Sequence, residues 1–197
     1  AAEIAIHHAY FEWERRIEKI RDQQLQVFGN LKEPDVAEIW KKNLETIAGS
    51  RPGIIAVEGS FHGQTIGARS ILGHRKSRIK FTRLTNIIPV FIDDRDEGWP
   101  EAIEEAIRKS EVSLCRVIQD GHEFKVVTFN VSTLIAAFAE PVMGEGGVRV
   151  VNRDFLSELS KHDFPLISDE IQCGLGRTGD IPECETAHYY LFGKALG

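Results

Sequence analysis

Three short apolar runs that end in polar residues constrain the fold of this chain more than any other feature. They are Gly53-Ile-Ile-Ala-Val-Glu-Gly59, Leu134-Ile-Ala-Ala-Phe-Ala139 before Glu140, and Phe164-Pro-Leu-Ile-Ser168 before Asp169. Each lacks the apolar and polar alternation of a half-exposed strand and is too short for a buried helix, so each predicts a strand covered on both faces. Ile88–Ile92 and Tyr189–Phe192 predict two more strands. Between and before them the apolar rhythm changes to 3.6 residues. A first helix is expected from Ala2 to about Val27, on Ile4, His8, Phe11, Ile17, Ile20 and Gln24, stopped by Gly29-Asn30. A second runs from about Pro34 to Ile47 with Val36, Ile39, Trp40 and Leu44 on one face. Two more are expected at Trp99–Lys109 and Arg153–His162. The runs Leu114–Ile118 and Phe124–Phe129 flank Gln119-Asp-Gly-His-Glu123, where Asp-Gly reads as a hairpin turn. Strands alternating with helices predict an α/β fold with a mostly parallel sheet flanked by helices, and ligands of such sheets bind beyond the C-terminal ends of the strands.

Composition narrows the function classes. The 197 residues are 42% hydrophobic and 27% charged, as expected for one globular domain or most of one. With 24 Lys plus Arg against 30 Asp plus Glu, the net charge of -6 argues against a nucleic-acid binder. The one basic cluster, His74-Arg-Lys-Ser-Arg-Ile-Lys-Phe-Thr-Arg83, reads first as a solvated loop. Cys115, Cys173 and Cys184 have neither disulfide arithmetic nor metal-site spacing and read as free thiols of a reducing compartment. No apolar run is long enough to span a membrane, and the N-terminal helix is unlike a signal peptide. The expectation is a protein of the cytosol, or of an organelle matrix, with no membrane partner.

The strand ends are where chemistry is to be sought. Glu140 with Glu145, Asp169 with Gln172, and Lys194 all follow apolar strands, and an ionised group there costs several kcal/mol unless it meets a partner or a ligand. Taken singly, each has a structural explanation. Asp169-Glu170 can be a helix N-cap pair, Lys194 a surface lysine, and Phe61-His62-Gly63 a turn with an aromatic core contact. Their combination and order along the chain carry more.

Ser60-Phe-His-Gly-Gln-Thr65, Ala139-Glu-Pro-Val-Met-Gly-Glu-Gly-Gly147, Ser168-Asp-Glu-Ile-Gln-Cys-Gly-Leu-Gly-Arg-Thr-Gly179 and Phe192-Gly-Lys-Ala-Leu-Gly197 resemble, in this order, blocks of the class III (omega-type) pyridoxal phosphate-dependent aminotransferases. The resemblance implies the large domain of the fold-type I transferases, pyridoxal 5'-phosphate (PLP) as cofactor, and a homodimer. It also implies amino transfer from an amine or amino acid donor to a 2-oxo acid. Lys194 matches the lysine that forms a Schiff base with the cofactor aldehyde and then moves the proton. Asp169 matches the carboxylate that keeps the pyridine nitrogen protonated. Gln172 matches the amide that bonds the ring hydroxyl. Ile171 is expected beneath one ring face and Phe61 on the other, with His62 and Gly63 shaping the turn. Glu145 matches a glutamate facing the substrate. Arg177 and Thr178 read as support for the loop.

The sequence also departs from the family. Its first residues, Ala1-Ala-Glu-Ile-Ala-Ile6, resemble the helix that in the family follows the small-residue loop gripping the cofactor phosphate, and three residues follow Lys194. The expectation is therefore a partial cofactor-binding domain over residues 1–197, without the phosphate-binding loop and the C-terminal small domain. Asp169 and Lys194 stand 25 positions apart, a short link for the family, and Cys173 replaces the more usual threonine. The segment from Cys115 to Phe129 looks like an inserted hairpin. An aminomutase, an amino acid racemase or epimerase of the same family, or a non-catalytic binding module remain as alternatives to the aminotransferase.

Overall fold

In a computed structural model, residues 1–32, 34–73 and 85–196 are described. The basic cluster at 74–83 and Gly197 lie outside the described residues. The element order is α1 (Ala2–Phe28), α2 (Val36–Gly49), β1 (Gly53–Val57), α3 (Ile66–Ser70), β2 (Ile88–Ile92), α4 (Trp99–Ser110), β3 (Glu111–Asp120), β4 (Glu123–Ser132), β5 (Leu134–Ala139), β6 (Val142–Met143), β7 (Arg149–Val150), α5 (Arg153–Leu159), β8 (Leu166–Asp169) and β9 (Tyr189–Leu191). Five strands form a parallel sheet in the order β2-β1-β5-β8-β9.

The expected central strands are buried on both faces. Every residue of β1, β5 and β8 is buried, whereas β2 and β9 at the sheet edges are only partly covered. Ile54 and Ala56 face a core built with α1, α2 and α3, and Ile55 and Val57 face a second core with α4 and α5. Strict alternation breaks in β5. Its register with β1 slips by one residue after Gly53, so Ile135 and Ala136 join the same core. Burying side chains such as Phe138 and Phe155, both at 0% exposure, contributes roughly 1.5–3 kcal/mol each.

The helices form where expected, but α1 turns a different face inward. Its buried residues are Ala2, Ile6, Ala9, Trp13 and Ile17, while Ile4 and Phe11 are 74% and 59% exposed. Both stripes keep the same helical period. The buried one carries small alanines that allow close approach to the sheet, and the Trp13 indole donates to the Ser132 carbonyl at 2.9 Å. In α2, Asp35 caps the N-terminus by accepting from the Ala37 and Glu38 N–H groups at 2.9 and 3.1 Å. Val36 and Trp40 are buried with Asn43, and Leu44 is 41% exposed. Asn43 is buried because it acts as a strand partner. Its amide accepts from the Cys115 N–H at 2.9 Å and donates to the Cys115 carbonyl at 2.7 Å. With Gln24 accepting from Val117 N–H at 2.8 Å, helix side chains close part of the free edge of β3.

The hairpin β3–β4 is longer than expected and its turn is displaced by one residue. Asp120 pairs with Glu123, so the loop is Gly121-His122, with φ +64 at Gly121 as a type II′ turn needs at its first central position. The expected helix at 153–162 ends at Leu159, and the expected strand at 164–168 begins at Leu166. Helix α3 had no signal of its own. Its N-terminus is capped from a distance by Glu3, whose carboxylate accepts from the Thr65 hydroxyl at 2.6 Å and from the Ala68 and Gly67 N–H groups at 3.2 and 3.3 Å. Among the described residues no helix is long and apolar enough to cross a membrane.

Candidate active site

The C-terminal ends of β1, β5, β8 and β9 bring the expected residues other than Glu145 into two connected groups. The first is buried. His62 Nδ1 lies 2.9 Å from Asp169 Oδ2, and the two residues are 3% and 4% exposed. A carboxylate can only accept, so Nδ1 carries the proton in this pair. The other Asp169 oxygen accepts from the Ile171 N–H at 3.3 Å. His62 packs edge-on against Phe138 of β5, with ring centroids 5.4 Å apart. Its Nε2 is buried with no partner among the described residues.

Glu140 completes this buried group. Its carboxylate is 5% exposed and accepts from the Phe61 N–H at 2.7 Å and the Gly144 N–H at 3.4 Å. It thereby fixes the backbone of the half-buried Phe61, and ties the turn after β1 to the turn after β5. Burial holds the Glu140 carboxyl above its ordinary value. The nearby charge of Asp169 pushes the same way, while the Phe61 and Gly144 N–H groups and His62 oppose it. Gly63, at φ +124, reverses the chain just past His62, a conformation available to glycine at little cost.

The second group is exposed. Lys194 Nζ donates to Gln172 Oε1 at 2.7 Å. The Lys194 N–H bonds the Ile171 carbonyl at 3.0 Å, and Arg177 donates to the Lys194 carbonyl at 3.2 Å. Ile171 therefore joins the groups, since its N–H meets Asp169 and its carbonyl meets Lys194. Two glycines keep these contacts tight. A Cβ on Gly193 would stand 2.9 Å from Ile171 Cγ2, and one on Gly144 would stand 2.6 Å from the Gln172 amide nitrogen. Thr178 donates to Glu183 at 2.6 Å, so Arg177 and Thr178 do brace the loop.

Asp169 and Glu170 do not cap a helix. The residues after them form turns, and the Glu170 carboxylate accepts from the Glu183 and Cys184 N–H groups at 3.1 and 3.2 Å. Glu145 is exposed and stands apart from Lys194 in lining a cavity of about 460 Å³ with Glu58, Arg95 and Arg149. Beside it, Arg149 forms a two-pronged ion pair with the buried Asp94 at 2.5 and 2.8 Å. Burial pushes the Cys173 thiol up to about 11, so it stays protonated at neutral pH. A cavity of about 510 Å³ lies against the edge strand β2 and α4, and also touches Gly53 and Leu134, which begin β1 and β5. It runs along β2 to Ile92, and none of the site residues named above lines it.

Residues 35–197 match the family of class III aminotransferases. The mitochondrial acetylornithine aminotransferase of Eremothecium gossypii is 34% identical over 160 residues, covering 75% of this chain and 32% of that protein. The chain belongs to the class III aminotransferase family. Ornithine aminotransferase 1 of Staphylococcus saprophyticus is 31% identical over 170 residues, covering 82% of the chain and 36% of that protein. Among solved structures, an ornithine aminotransferase from Toxoplasma gondii, described with partial occupancy of PLP at its active site, aligns with TM-score 0.52 at 27% identity. That alignment covers 81% of this chain and 34% of the solved one. A thermostable omega transaminase from Pseudomonas jessenii shares the fold with TM-score 0.55 at 23% identity, over 80% of this chain and 36% of that one. The chain thus spans 32% and 36% of the two curated class III relatives.

Proposed function

We propose that the protein to which this chain belongs transfers an amino group from an amine or amino acid donor to a 2-oxo acid, with PLP as cofactor. The observation that carries this reading is the junction at Ile171. It ties a buried, hydrogen-bonded carboxylate, Asp169, through the Ile171 backbone to Lys194, whose exposed amine bonds Gln172, at the C-terminal edge of a parallel sheet in a chain of the class III family.

The residues present fit PLP. A pyridinium nitrogen needs a fixed anion, and Asp169 is buried and held from one side by His62. A ring hydroxyl needs an amide, and Gln172 is exposed beside the lysine. Flat faces need apolar cover, for which Ile171 and Phe61 stand on the two flanking turns. When bound, PLP supplies an aldehyde for amine capture and a ring that withdraws electrons from the donor carbon. In this scheme Asp169 would hold the ring nitrogen, and His62 keeps that carboxylate oriented through the 2.9 Å contact. Lys194 Nζ, which donates to Gln172 Oε1 at 2.7 Å, would be the base that takes the proton from the amine-bearing carbon of the donor. Glu145 would face the substrate from its cavity next to Arg95 and Arg149. A homodimer and a cytosolic or organelle-matrix location complete the proposal.

The test is an acceptor balance on the protein loaded with PLP. Ornithine or acetylornithine, taken from the named relatives, would serve as donor probes and 2-oxoglutarate as the acceptor. Consumption of one acceptor per donor is the expected result. Isomerisation of the donor with no acceptor consumed would replace this reading with a mutase or racemase.

A further inference from the structure

Glu170 is buried to 1% exposure and plays no part in the scheme above. Among the described residues it has no cationic partner. Its charge is met instead by three donors: the Ser168 hydroxyl at 3.0 Å, the Glu183 N–H at 3.1 Å and the Cys184 N–H at 3.2 Å. A buried carboxylate satisfied by two successive backbone N–H groups acts as a latch on the chain that carries them.

That chain is the link between Asp169 and Lys194. It leaves the sheet at the end of β8 and returns at β9, where the His188 N–H bonds the Leu166 carbonyl at 2.9 Å and the His188 ring accepts from the Leu166 N–H at 3.1 Å. Between these points the Glu170 carboxylate pins the middle of the link to the end of β8. The next fastening after β9 is the Lys194 N–H on the Ile171 carbonyl. Ser168, Asp169, Glu170 and Ile171 therefore alternate two tasks. Asp169 faces His62, and its neighbour Glu170 grips the returning loop from the other side.

We propose that Glu170 is a positioning residue that fixes where Lys194 stands relative to Asp169, an inference that rests on the cofactor reading above. Without the latch the Cys184 segment is free to leave, and Lys194 approaches the carboxylate and Gln172 in a spread of positions. The acid and base properties of its amine then change, because they depend on those neighbours.

The test compares Glu170→Ala and Glu170→Gln with the parent protein. In protein free of PLP, the rate at which Ellman's reagent labels Cys184 should rise about tenfold in Glu170→Ala, the size expected for loss of one or two hydrogen bonds. In protein loaded with PLP, the pH midpoint of the visible absorbance of PLP bound at Lys194 should shift in the same variant. Glu170→Gln keeps one accepting oxygen and should move both readouts part of the way. If Glu170→Ala fails to fold, the Gln variant decides alone. Faster labelling with an unchanged midpoint would reduce Glu170 to a structural loop contact and overturn the proposal, as would no change in either. Lys194→Ala is the separate control. A visible band that survives it would refute the cofactor reading itself, whatever Glu170 does.

Discussion

The two halves of the candidate site are built on opposite physical terms. Around Asp169 everything is buried and fixed: His62, Glu140 and the Phe61 backbone are joined by hydrogen bonds of 2.7 to 2.9 Å at the ends of fully covered strands. Lys194 and Gln172 are exposed, and among the described residues the amine makes one hydrogen bond, to Gln172. In the proposed scheme a carboxylate paired with a ring nitrogen calls for the first environment, and an amine that forms and releases a bond calls for the second. On that proposal the preorganised half lies at β1, β5 and β8, and the exposed, reacting half lies after β9.

Substitutions that separate activity from stability probe this contrast. The largest effect is expected from Lys194→Ala, which should lower single-turnover amino transfer by about 10²–10⁴-fold or more while leaving stability within about 0.5 kcal/mol in a denaturant melt. A large loss of stability would mean that Lys194 is not in the exposed, reacting half. Asp169→Ala should do both kinds of damage, removing the anion from the ring and leaving His62 buried without its acceptor, a stability cost of about 1–3 kcal/mol. Asp169→Asn, which keeps an oxygen for His62, should recover much of the stability and little of the activity. An Asn variant with full activity would break the contrast from the other side.

Gln172→Ala is expected to be milder, with activity reduced by about tenfold, the value of one hydrogen bond, and an unchanged melt because the side chain is exposed. The smallest effect concerns Glu140. Its carboxyl is held above the ordinary value of 4.5 in the folded protein. The folded state therefore keeps this proton to higher pH than the unfolded chain. The associated stability is fully present below about pH 4.5 and is lost as pH rises through the raised folded value. Glu140→Gln cannot ionise, so its melts should lose less stability than those of the parent between pH 4 and 8. Parallel curves for the two proteins would show that burial does not perturb Glu140.

Sequence patterns reveal the fixed half of the site better than its connections. The strands β1, β5 and β8 were legible because burial on both faces leaves an uninterrupted apolar run, and their polar ends marked Glu140 and Asp169. The inward face of α1 was not, since Ile4 and Phe11 keep the same period as Ile6 and Trp13, and only the sheet beneath selects between them. Helix α3 was hidden because five residues carry no periodicity and its cap, Glu3, lies 62 positions away. The contact of His62 with Asp169 spans 107 positions, and that of Glu140 with Phe61 spans 79. No local spacing reports such pairings. The sequence left Glu170 open for a related reason, because an acidic pair before a glycine-rich stretch has the same local pattern whether it caps a helix or grips a returning loop.

The most direct test of the division between fixed carboxylate and reacting amine is chemical trapping. The protein loaded with PLP is reduced with borohydride, digested, and the pyridoxyl label is located by mass spectrometry. The account expects the label on Lys194, absent in Lys194→Ala and still present, at reduced yield, in Asp169→Asn. Label on a different lysine, or undiminished labelling of Lys194→Ala, would contradict it.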